Sequence, residues 1–162
     1  FYEVIILDSS PSLNDEMLSV MLSSDELLVV TTPDYATLST TLKAVRVAKQ
    51  KGIPINGLIL NKVRKNKCEL SLNDIEKATG VHVLGILPDE ERTIEAQHSL
   101  TPITQYLPNS KMSVEYKHIA ATLIHEKYND PRFLQNIKSF FSRKIDKHEI
   151  NREVFRQKVK KD

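Results

Sequence analysis

Glycine is scarce in this chain, and that scarcity excludes a chemistry. The 162 residues hold four glycines, at 52, 57, 80 and 85. A loop that cradles phosphate, G-x-x-x-x-G-K-[ST], needs successive backbone N–H groups and a lysine to neutralise the anion. Gly52 and Gly57 have the right separation, but Leu58-Ile59 stand where Lys and Ser/Thr are required. These residues contain no such loop. Cysteine is scarcer still. The single Cys68 excludes an internal disulfide and any cysteine-based metal cluster, and this usage fits a reducing, cytoplasmic compartment. Long apolar runs are absent too. None reaches the roughly eighteen residues of a spanning helix. The first residues carry no basic segment and no small-residue cleavage site, so they do not read as a signal peptide. They open on Phe1 rather than Met and run straight into apolar sequence, which raises the expectation of a piece cut from a longer chain.

What is present is an ordinary globular composition, 40% apolar, with charge unevenly placed. Residues 131–162 hold ten Lys/Arg against four Asp/Glu, whereas residues 1–130 hold 13 against 17. The change of character falls at Asp130-Pro131 and divides the chain into a domain over 1–129 and a tail over 130–162.

The first part alternates two kinds of segment. Val4–Leu7, Leu27–Thr31, Leu58–Leu60 and Val83–Leu87 are short runs of Val, Ile and Leu, the pattern of strands buried on both faces of a parallel sheet. Between them Leu38, Leu42, Val45 and Ala48 recur at helical spacing before Gly52. Leu72, Ile75 and Ala78 do the same before Gly80. A third helix is predicted around Val114, Ile119 and Leu123, with Ser113 as its N-cap. The fold class is α/β, a parallel sheet with helices on both faces.

In such sheets ligands bind beyond the carboxyl ends of the strands. The residues there are Asp8-Ser9-Ser10-Pro11-Ser12, Thr32-Pro33-Asp34, Asn61-Lys62 and Pro88-Asp89. All four groups are expected along one edge. A carboxylate at a strand mouth, as at Asp8, can hold Mg²⁺ against nucleotide phosphates, or can simply cap the next helix. Asn61 can read a base through its amide, or can end the strand in a left-handed turn. Pro88-Asp89 can border a base, or can be a loop whose Asp caps a helix.

Five of these segments, in order, resemble one family. Val4-Ile5-Ile6-Leu7-Asp8-Ser9-Ser10-Pro11-Ser12-Leu13 looks like the Walker B and switch II region of the MinD/ParA ATPases. Ser24 to Asp34 resembles their next strand and loop, Leu58 to Val63 their adenine-recognition strand end, and Gly85 to Glu90 the loop after it. Ala96 to Pro102 with Pro108 to Lys111 resembles their final loop and helix. The resemblance covers roughly residues 1–128 and implies a P-loop NTPase-like fold, incomplete here. It implies Asp8 as the catalytic Walker B acid and Mg²⁺ ligand, directly or through water. It further implies Ser9, Ser10, Pro11 and Ser12 in a switch sensing the γ-phosphate, Asn61 and Lys62 at adenine, and Pro88 and Asp89 beside it. Ser12 stands where many MinD-type members carry Gly, a departure toward ParA-like relatives.

The activity implied is that of a switch ATPase using ATP and Mg²⁺, which dimerises with ATP and positions cell-division or chromosome-segregation components. Without a phosphate loop these residues alone are expected neither to bind ATP tightly nor to hydrolyse it. The alternatives are a non-catalytic interaction module with a vestigial nucleotide site and a metabolic ligase sharing the fold.

The tail reads as an amphipathic helix. Asp130-Pro131 is a helix start. Phe133, Leu134, Ile137, Phe140, Phe141 and Ile145 fall on one stripe of about 140°, with Arg132 and Arg143 opposite. This composition suits a helix lying on an anionic membrane surface, which would make the protein cytoplasmic and peripherally attached. Packing on its own domain or on a partner subunit is the competing reading. Nucleic acid is disfavoured, because the aromatics sit on the apolar stripe and not among the basic residues. The five histidines are scattered and carry no role.

Overall fold

A computed structural model describes residues 2–9, 14–64 and 66–130. The elements run α1 (Asp15–Leu22), β1 (Leu27–Thr31), α2 (Tyr35–Gln50), β2 (Ile55–Val63), α3 (Leu72–Thr79), β3 (Val83–Pro88), α4 (Thr93–His98), α5 (Ile103–Tyr106) and α6 (Lys111–Leu123). The strands form a parallel sheet in the order β1-β2-β3.

The helix starts follow from short polar side chains that satisfy orphan N–H groups. Asn14 accepts from the Met17 amide at 2.9 Å, Asp34 from Thr37 at 2.9 Å, and Ser71 from Asp74 at 3.2 Å. Helix α6 is capped by Ser110, which accepts from the Ser113 amide at 3.1 Å. The expected cap, Ser113, instead lies buried in the first turn and donates to the Ile103 carbonyl at 3.0 Å. Gly80 ends α3 at φ 61, a left-handed position that glycine fills without a steric penalty.

Alternation along β2 splits the core between the two faces of the sheet. Leu58 and Leu60 join Leu38 and Val45 of α2 and Ile75 of α3. Ile59 joins Leu84 and Leu87 of β3 and Met112 and Ile119 of α6. Helices therefore cover both faces, as the apolar runs implied.

Two bulges between β2 and β3 modify this period. Leu58 pairs with Val83 but Ile59 with Gly85, so Leu84 is the extra residue and Gly85 turns toward α6. Further on, Leu60 pairs with Ile86 but Val63 with Pro88. Val63 thus returns to the cluster that holds Leu60, which an unbroken period of two would forbid.

One expected strand does not form. Val4–Leu7 is irregular and exposed, Ile6 to 82%, and pairs with no strand among the described residues. A strand persists only where a ladder takes its N–H and C=O groups and neighbours cover its faces. Neither is provided among the described residues. Strand β1 bonds to β2 on one side, and its Val30 is 57% exposed, so apolar surface lies open beside the sheet.

Candidate functional site

Parallel register brings three of the four expected groups to the carboxyl edge of the sheet. Thr31 pairs with Leu60, Leu60 with Ile86, and Val63 with Pro88, so Thr32-Pro33-Asp34, Asn61-Lys62 and Pro88-Asp89 adjoin one another. The fourth group is not gathered there. Asp8 and Ser9 lie in the exposed, unpaired segment before α1, because no strand carries them to the edge. Ser10, Pro11 and Ser12 lie outside the described residues, as do Phe133, Leu134, Ile137, Phe140 and Phe141 of the tail.

Asn61 and Lys62 lie inside β2 at its bulge, not beyond the strand. The left-handed residue is Lys62, at φ 55, and not Asn61. Asn61 Oδ1 accepts from the Lys62 amide at 2.9 Å. That bond orients the half-buried carboxamide and leaves its NH₂ group and a second lone pair for another partner. A group that can both donate and accept, presented at a strand mouth, suits the edge of a purine.

Asp89 caps no helix. The N-cap position of α4 is Arg92, which makes no capping bond. The Asp89 carboxylate instead accepts from Arg64 Nε at 2.6 Å, and its amide donates to the Val63 carbonyl at 3.0 Å. Arg64, which sequence patterning does not single out, thereby closes the edge between β2 and β3.

Asp34 is occupied locally. Its carboxylate takes the Thr32 hydroxyl and the Thr37 amide, and these hydrogen bonds, the hydroxyl first, hold its pKa below the usual aspartate value. Behind it the buried Thr31 and Thr41 hydroxyls meet at 2.8 Å and join β1 to α2.

Among the described residues no group of three or more His, Cys, Asp or Glu side chains converges on a metal position. Mg²⁺ beside a nucleotide needs only one or two carboxylates, and the hard oxygens of Asp8 have the right chemistry for it. A shallow cleft of about 230 Å³ lies at the opposite end of the strands, lined by Lys49, Ile53, Ile55, Gly80, Val81 and His82. Its cation is committed to structure, since Lys49 Nζ donates to the Thr79 carbonyl at 3.0 Å at the end of α3. The sheet's carboxyl edge is therefore the better candidate site.

Residues 9–97 match a family model described as an AAA domain. An ATP-binding protein of Methanocaldococcus jannaschii is 32% identical over 143 residues, covering 88% of this chain and 54% of its own length. Among solved structures, the cell division ATPase MinD of Pyrococcus furiosus superposes with a TM-score of 0.61 at 28% identity, covering 67% of this chain and 46% of that one. The septum site-determining protein MinD of Pyrococcus horikoshii, complexed with Mg-ADP, gives a TM-score of 0.63 at 26% identity, covering 78% of this chain and 49% of that one. The chain spans about half the length of the curated relatives it matches.

Proposed function

The chain belongs to the AAA domain family and is MinD/ParA-like, and we propose that it supplies the base-side part of a P-loop ATPase that works as an ATP-dependent dimerisation switch. In this reading the whole protein dimerises with ATP and positions cell-division or chromosome-segregation components.

The observation that carries the reading is the meeting of Asn61-Lys62 and Pro88-Asp89 on one sheet edge through the Val63–Pro88 pairing. Asn61 would donate to and accept from the adenine edge, Lys62 would stand beside it, and Pro88 and the backbone at Asp89 would border the ring. Ser9, Ser10 and Pro11 would follow the γ-phosphate. Asp8 would hold Mg²⁺, whose chemistry is to neutralise charge on the phosphates. Nothing in these residues replaces the phosphate-cradling loop, so tight ATP capture requires residues beyond them.

The test begins with the coding sequence upstream of Phe1. A glycine-rich, lysine-bearing loop there, with ATP-dependent dimerisation of the whole protein in analytical ultracentrifugation, is the expected result. A monomer at saturating ATP sinks the switch. For the 162 residues alone, calorimetry is expected to show no micromolar ATP binding.

The tail over 130–162 is proposed to hold the protein peripherally on an anionic membrane through Phe133, Leu134, Ile137, Phe140 and Phe141. Sedimentation with liposomes tests this. The ATP-bound whole protein is expected to pellet with vesicles containing anionic lipid and to stay in solution with neutral ones. Failure to pellet with either defeats membrane attachment.

A further inference from the structure

The bulge in β2 places a lysine in a backbone region that side chains with a Cβ avoid, at the residue following Asn61. Such a conformation persists only where its surroundings hold it. On the inner side Val63 is held by its packing in the cluster with Leu60 and Ile86. On the outer side two bonds cross from β2 to β3. One is the Asp89 amide to the Val63 carbonyl at 3.0 Å, and the other is Arg64 Nε to the Asp89 carboxylate at 2.6 Å. Arg64 is itself tied down, since its own amide donates to Glu69 Oε1 at 2.7 Å. The clasp therefore closes immediately beyond the bulge and joins the two segments that flank the proposed base site.

We propose that Arg64 is a positioning residue for base recognition: its ion pair with Asp89 locks the bulge that aims Asn61. This rests on the reading of Asn61 as the base reader. The pairing also reassigns Asp89. Its carboxylate serves Arg64, so its contribution to the base site is the placement of Pro88 and of its own backbone. The pair is partly exposed, with side-chain exposures of 67% and 31%, so its effect is local and modest and not a global brace.

The experiment uses the ¹⁵N-labelled 162-residue chain. Amide exchange is followed at Lys62, Val63 and Asp89, and AMP and GMP are titrated separately as probes of base preference. The variants are Arg64→Ala and the reversed pair Arg64→Asp with Asp89→Arg. In the wild type AMP is expected to shift the Asn61–Val63 and Asp89 signals more than GMP does. Arg64→Ala is expected to cut that preference and to speed exchange at Asp89 by about two- to fivefold, the range an exposed ion pair provides. Exchange at Ile59 and Leu84 in the core should stay unchanged, and the reversed pair should recover both local readouts. Unchanged exchange and preference in Arg64→Ala overturn the proposal. A wild type that does not prefer AMP overturns the base-site reading itself, and the role of Arg64 in recognition falls with it, whatever the exchange shows.

Discussion

Gly85 and Ile119 meet so closely that a Cβ on Gly85 would lie 2.4 Å from Ile119 Cδ1 and 2.7 Å from its Cγ1. The bulge at Leu84 turns Gly85 toward α6, and the absence of a side chain lets the helix settle on β3. Gly85→Ala is therefore expected to destabilise the fold by about 1–3 kcal/mol, the usual cost of overpacking. Urea melts measure it. Combining Gly85→Ala with Ile119→Ala should cost less than the sum of the two single changes. Strict additivity would show that the contact is not the cause.

Lys62 offers a backbone test. At φ 55, Lys62→Gly removes the steric penalty and should stabilise by up to about 1 kcal/mol after the entropy lost by glycine is counted. Lys62→Val, β-branched, should destabilise by about 1–3 kcal/mol. Chemical denaturation gives both signs, and a more stable Val variant would refute the left-handed assignment.

Asp34 predicts a pH dependence. Its pKa is lowered in the folded state, first by the Thr32 hydroxyl and then by the Thr37 amide. The stability it contributes is therefore complete above the unfolded aspartate value of 3.8 and is lost as pH falls through the lower, folded value. Asp34→Ala should cost about 1 kcal/mol at neutral pH, as the loss of an N-cap does. The gap between wild type and variant should close in acid melts, and a gap that widened toward low pH would contradict the capping geometry.

The buried hydroxyl pair of Thr31 and Thr41 predicts a strongly context-dependent result. Thr41→Val removes one member and leaves Thr31, 2% exposed, with only a 3.4 Å contact to the Thr32 carbonyl. A loss of about 1–3 kcal/mol is expected. Replacing both threonines by valine should restore part of it, because no buried hydroxyl then goes unpaired. Equal stability of the single and double variants would show that the unpaired Thr31 hydroxyl is not the cause of the loss.

The strand-like composition of Val4–Leu7 was legible in the sequence, and its failure to pair was not. Val4–Leu7 has the composition of a buried strand, and composition is all that a sequence pattern reports. Whether a ladder partner and a covering face exist is a property of the assembled sheet, so Asp8, which depends on that strand, did not reach the edge. Helix α6 shows the same limit on a smaller scale. Ser110 and Ser113 are both good caps by type, and the choice fell to Ser110 because Ser113 is buried under the Ile103 carbonyl.

By itself the sequence determined the α/β class, three parallel strands, the main helices and the order of the strand-end motifs. Apolar period and chain order are local properties, and they survive in any assembly of these elements. Only the tertiary structure decided which motifs share an edge, that the strained residue is Lys62 and not Asn61, and that Asp89 belongs to Arg64. Those outcomes turn on one-residue slips in register. A bulge changes which face every later residue occupies, while leaving the pattern of residue types along the strand as it was.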